Sequence, residues 1–155
     1  MAGIDPEAPS WNPFPGVEQV GRVWPRRMAH EAVMHRWDLE STLGDPNPID
    51  AELASDGIDE YFELVIPRLI AQYGLVVPTG SFHVHCTDVE GEWLVWEEND
   101  EFRMKRAHEK GDAALRGPAE AILLRLWGRT DGLTEPLSPV GDLTVLEGWL
   151  AASGM

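Results

Sequence analysis

Ser81-Phe82-His83-Val84-His85-Cys86-Thr87 alternates apolar with polar side chains at a period of two. Such alternation places Phe82, Val84 and Cys86 on one side of a strand and His83 and His85 together on the other. Two more strand-like runs follow, Glu92 to Glu97 and Glu101 to His108, with Glu90-Gly91 and Asn99-Asp100 as turn signals between them. The three predict an antiparallel meander.

The pattern on either side is helical. A helix starts near Pro25, which a first turn tolerates, and runs to about Leu43, where Gly44 supplies the stop. Asp45-Pro46-Asn47-Pro48 is a loop. From Asp50 to Tyr73, apolar residues recur at spacings of three and four, and Pro67 is expected to kink the helix near Val65 or Ile66. Downstream come a short fourth strand at Asp112 to Gly117, an apolar helix at Ala119 to Trp127 and a loop at Asp131 to Pro139 with room for a short extended segment. A last helix covers Leu143 to Ala152. The order predicts an α+β fold, a mostly antiparallel sheet with helices on one face, preceded by one long helix. A boundary is expected at the Pro-rich loop, giving regions 1–44 and 45–155.

Composition narrows the function. The 155 residues include 27 acidic and 12 basic side chains, for a net charge of −15. Nucleic-acid binding depends on basic residues neutralising phosphates, so nucleic acid is excluded as a partner, and an anionic membrane surface with it. The first residues lack a basic segment followed by an apolar one, and no apolar run reaches the ~20 residues a bilayer needs. A cytoplasmic location is expected. The single cysteine, Cys86, rules out a disulfide framework and reads as a buried, inert thiol.

The first helix holds the leading candidate ligands. Glu31 and His35 lie one turn apart on one face, with Asp38 a further turn on. A carboxylate and an imidazole at that spacing can grip one divalent ion, or they can pair with Arg27 and Arg36 as an ordinary charged face. His30 lies five residues from His35 and points elsewhere. His83 and His85 could likewise share a metal, or line a solvent-facing strand side. His108 reads as a turn residue. Arg129 follows the helix ending at Trp127-Gly128, where it could serve that helix C-terminus or face a cleft and grip a carboxylate.

RRMAHEAVMHRWDLE at 26–40, IDAELASDGIDE at 49–60, HVHCTDVEGEW at 83–93, LLRLWGR at 123–129 and GDLTVLEGW at 141–149 together resemble the maleylpyruvate isomerase family of mycothiol-dependent enzymes. The resemblance runs from about Trp11 to the end. It implies a DinB-like four-helix bundle, of which residues 1–44 hold a Pro-rich lead and the last helix, followed by a C-terminal domain similar to sterol carrier proteins. It also implies a metal, held in the bundle by a His from an early helix with a Glu and a His four apart on the last one. Glu31 and His35 match the latter two; the early His has no counterpart in this sequence. Zinc is the favoured ion and mycothiol the implied thiol. Metal-acidified thiolate would add to an electron-poor double bond, rotation would follow, and elimination would regenerate the alkene. Arg129 would then hold the carboxylate of a small unsaturated acid. The alternative is a non-catalytic domain that binds a small molecule or pairs with a separate helical bundle.

The apolar residues Met28, Ala32, Val33, Trp37 and Leu39 on the first helix need cover. Burying three such side chains contributes on the order of 3–6 kcal/mol per chain before association costs. The helix can fold back on its own α+β domain or pair two-fold with the same helix of another chain, which would also bring two Glu31/His35 pairs together; the pairing is the favoured route. Sedimentation equilibrium at tens of micromolar is expected to show a dimer for the parent and a monomer for Trp37→Asp; a monomeric parent rejects the pairing.

Overall fold

The computed structural model describes residues 5–133 and 136–153. The chain divides into two compact units, Met1–Ile49 and Asp50–Met155.

In the first unit, the Pro-rich lead folds back on itself. Pro9 bridges Val20, and the amide of Ser10 donates to the Gln19 carbonyl at 2.9 Å. The buried Asn12 ties the two arms together: its side-chain amide donates to the Glu18 carbonyl at 2.8 Å, and its backbone N–H donates to Gln19 Oε1 at 2.7 Å. Such side-chain bonds replace the ladder that proline cannot support. Phe14 is buried by this turn, whereas Trp11 is exposed. Helix α1, Val23–Leu43, ends at Gly44, whose φ of 87° is the left-handed conformation that glycine adopts without strain. Its buried residues are Arg27, His30 and Met34, while Met28, Ala32 and Leu39 are exposed.

The second unit opens with α2, Ala51–Glu60, capped by Asp50, whose carboxylate accepts from the Leu53 amide at 3.1 Å. The expected kink before Pro67 takes the form of a π-helical turn, Tyr61–Val65, in which the Ile66 N–H reaches the Tyr61 carbonyl. Proline has no N–H to continue the regular ladder, and one wide turn absorbs the break. Helix α3, Ile66–Tyr73, then closes at Gly74.

Five strands follow: β1 Phe82–Cys86, β2 Glu92–Glu98, β3 Glu101–Lys105, β4 Ala113–Gly117 and β5 Ser138–Gly141. They form one sheet in the order β3-β2-β1-β4-β5. The expected meander is β1-β2-β3, and its β2–β3 turn places Asn99 and Asp100 at φ 55° and 63°, as a tight hairpin requires. β4 pairs parallel with β1 and antiparallel with β5. The extended segment allowed for within the 131–139 loop is β5, set slightly later, and it forms one sheet edge; β3 forms the other. Strand β3 is shorter than expected, ending at Lys105 instead of His108. Its partner β2 starts at Glu92, and Arg106 is drawn away by carboxylates of α2 and the π turn.

Phe82, Val84, Trp93, Val95 and Leu115 share the buried sheet face. Helices α4, Ala119–Leu126, and α5, Leu143–Ser153, pack against it; Phe82 stacks on Trp149 with ring centres 6.3 Å apart, and α2 packs on α4. The sheet is mostly antiparallel and its helices lie on that one face.

Asp112 fastens the start of β1 to the start of β4. Its Oδ2 accepts from the Ser81 amide at 2.8 Å and from the Ser81 hydroxyl at 2.7 Å. The amide bond, followed by the hydroxyl, holds this carboxyl below its ordinary range. A depressed folded-state value contributes stability that is fully present above the unfolded value and lost as pH falls through the folded one. Melting temperatures taken from pH 6 down to pH 2 should therefore fall less steeply below about pH 4 in Asp112→Asn than in the parent; parallel curves would refute this role.

Candidate functional site

On the sheet face opposite the core, β1 presents His83 and His85, and the register sets Glu92 of β2 directly across from His85. Glu92 Oε2 lies 3.0 Å from His83 Nε2 and 2.6 Å from His108 Nδ1, and Oε1 lies 3.3 Å from His85 Nδ1. One carboxylate thus lies within 3.3 Å of a ring nitrogen of each of three imidazoles, and it is hydrogen-bonded to His83 and His108. The ring centres are 5.9 to 6.1 Å apart, and the ring planes stand at 70–89° to one another. His83 is buried, His85 is partly covered, and His108 is exposed on the segment after β3. The solvent-facing alternative for this strand side does not hold for His83.

Burial pushes the His83 imidazole below its ordinary value, against the opposing pull of Glu92, and so favours the neutral ring. Partial burial pushes the Glu92 carboxyl up, but hydrogen bonds from His108 and His83 outweigh it and keep the group ionised more readily than usual. His83, His85 and Glu92 each offer a ligand atom, all within 4.8 Å of one another.

An open cleft of about 770 Å³ borders this group, with His85, Glu92 and His108 on its wall. Its charged lining is otherwise four carboxylates, Glu52, Asp56, Asp59 and Glu90, and Arg106, set among apolar and neutral residues such as Val89 and Trp93. Asp59 organises that wall: it accepts from the Trp93 indole N–H at 2.8 Å and pairs with Arg106, which also reaches Glu63 at 2.7 Å. The hydrogen bond to Asp59 raises the Arg106 pKa further. Ser55 closes one side by donating to the Glu90 carbonyl at 2.9 Å. A side chain at Gly91 would meet Ser55 Oγ at 2.6 Å and the Trp93 ring at 2.6 Å, so the hairpin needs glycine there.

In the first unit, Glu31 Oε2 stands 3.1 Å from His35 Nε2, Arg27 holds the other Glu31 oxygen, and Asp38 Oδ2 lies 3.2 Å from His35 Nδ1. Glu31 and His35 therefore meet on the helix face where their spacing places them. Arg129 lies after α4, where its Nη1 donates to the Trp127 carbonyl at 2.8 Å and its guanidinium sits 5.7 Å from the Trp127 ring centre. Its contact with the Trp127 carbonyl places it at the end of the helix. Glu92 and Arg106 are the site residues that sequence reasoning passed over. Glu92 faces His85 through the β1–β2 register, which the sequence around either residue does not specify.

Two family models match in chain order, the mycothiol maleylpyruvate isomerase N-terminal domain over residues 1–40 and the MDMPI C-terminal domain over residues 52–148. The chain belongs to the mycothiol maleylpyruvate isomerase family. No curated protein matches it. Among solved structures, a UbiJ-SCP2 ubiquinone synthesis protein is similar over 69% of this chain and 93% of that one, with 15% identity and a TM-score of 0.43. Among the described residues, no helix is long and apolar enough to cross a membrane.

Cys86 ends β1 beside the cleft but is only 4% exposed. Burial, aided by the charge of Asp88, pushes its thiol up to about 12. The thiolate needed for attack is then scarce at neutral pH. Native protein at pH 8 should resist iodoacetamide and become alkylated only in denaturant; labelling of the native chain within minutes would contradict this.

Proposed function

We propose that this chain serves the metal- and mycothiol-dependent chemistry of its family, isomerisation or thiol transfer on a small unsaturated acid. The observation that carries the reading is the Glu31/His35 pair on α1, in a chain that matches both family domains in order.

The donors on α1 fit two positions of a metal's coordination shell. With the His35 ring proton on Nδ1, directed at Asp38, the lone pairs of His35 Nε2 and Glu31 Oε2 converge from 3.1 Å apart. Arg27 fixes the carboxylate from its other oxygen. A zinc centre takes three or four protein ligands, of which this helix contributes two. A bound divalent ion supplies thiol acidification, raising the thiolate fraction at neutral pH. The roles of the chain's own residues are then separable: Glu31 and His35 bind, Asp38 orients the imidazole, and Arg27 positions the carboxylate.

Turnover of maleylpyruvate by the full chain, with zinc and mycothiol supplied, tests this. Glu31→Ala and His35→Ala should abolish mycothiol-dependent turnover, and Asp38→Ala should lower it about 10–100-fold with both ligands intact. A parent chain without mycothiol-dependent turnover overturns the reading.

A further inference from the structure

We propose that His83, His85 and Glu92, with His108 as an exposed fourth donor, form a second site for a divalent transition-metal ion, on the sheet of the C-terminal unit. It goes beyond the α1 pair and does not depend on it.

The first argument is geometric. Three donors come from two adjacent strands whose backbone ladder fixes their spacing, with His85 and Glu92 opposite one another in the register. The ring centres form a nearly equilateral triangle, 5.9, 6.1 and 6.1 Å on a side. The ligand atoms of His83, His85 and Glu92 all lie within 4.8 Å of one another, close enough to converge on one ion. The Glu92 carboxylate already reaches all three rings.

The second argument is chemical. Neutral imidazole has a lone pair to give, and His83, buried, and His85, partly covered, hold theirs beside an ionisable carboxylate that can supply the negative charge a divalent ion requires. Imidazole nitrogen with one carboxylate oxygen suits zinc, cobalt, nickel, copper or iron, and disfavours magnesium and calcium.

The third argument is electrostatic and concerns access. His85, Glu92 and His108 lie on the wall of the 770 Å³ cleft, whose other acidic groups draw cations toward it. An ion held by His83, His85 and Glu92 would face the cleft, with its fourth position filled by His108 or by water.

Zinc titration of the full chain by calorimetry, in a Glu31→Ala/His35→Ala background, isolates this site from the proposed catalytic one. That double variant should still take up one equivalent of zinc at micromolar or tighter affinity, and magnesium should not compete. Adding His83→Ala or the near-isosteric His85→Gln should weaken uptake at least about 100-fold. Zinc should also shift the imidazole NMR signals of His83 and His85 but not of His30, a readout that needs no variant. The inference is overturned if the double variant takes up no zinc, if uptake survives loss of His83 and His85, or if magnesium binds as tightly as zinc. Because the calorimetry is carried out without Glu31 and His35, failure there leaves the isomerase reading untouched, and the converse also holds.

Discussion

The two-residue period of β1 is the constraint on which the rest of the C-terminal unit depends. Phe82 and Val84 are fully buried against Trp149 and the helices, and this fixes the rotation of the strand. His83 and His85 are then obliged to share the other face. A slip of one residue would carry two imidazoles into the apolar core and two large apolar groups out of it. Hydrophobic burial therefore positions the histidines, although they contribute little to it. Pairing on both sides, antiparallel with β2 and parallel with β4, makes this placement stiff.

Asp59 performs the corresponding task for the cleft. One carboxylate on α2 joins the indole of Trp93 in β2 to the guanidinium of Arg106, just beyond β3. Helix, sheet and the segment leading to His108 are thus coupled through a single side chain. The exposed His108 owes its place beside Glu92 to the point where β3 stops. Arg106 leaves the ladder for Asp59 and Glu63, and the chain behind it turns toward the rings.

Local signals made most elements readable in advance. The Asn99-Asp100 turn and the stop at Gly44 rest on backbone preferences acting over a few residues, and the alternation at 81–87 on the burial of one strand face. Pairings between distant segments were not readable. Nothing local to Ala113–Gly117 says that it lies parallel to β1, and Ser138–Gly141, with a proline inside it, carries almost no strand signal. At Gly141 (φ 87°) an added Cβ would come within 2.3 Å of the Asp112 carbonyl, a close approach visible only once β4 and β5 are paired. The site divided the same way. Glu31 and His35 were legible because one helix carries both, and the two strand histidines because one strand does. Glu92 and Arg106 depend on register and on where a strand ends. The apolar reading of α1 was broader than its buried face, since Met28, Ala32 and Leu39 are exposed while Arg27 and His30 are buried. A helical period assigns residues to faces, but neighbours decide which face is covered.

The two outer strands bear on how the molecule avoids joining its own kind. A sheet with open ends presents unpaired N–H and C=O groups that can recruit another chain. Here β3 carries Glu101, Arg103 and Lys105 along a short rim, so extending the ladder there would press charged side chains together. At the opposite end, Pro139 lacks the N–H that a sixth strand would need, and β5 has only four residues. Both rims thereby discourage the addition of a sixth strand to the sheet.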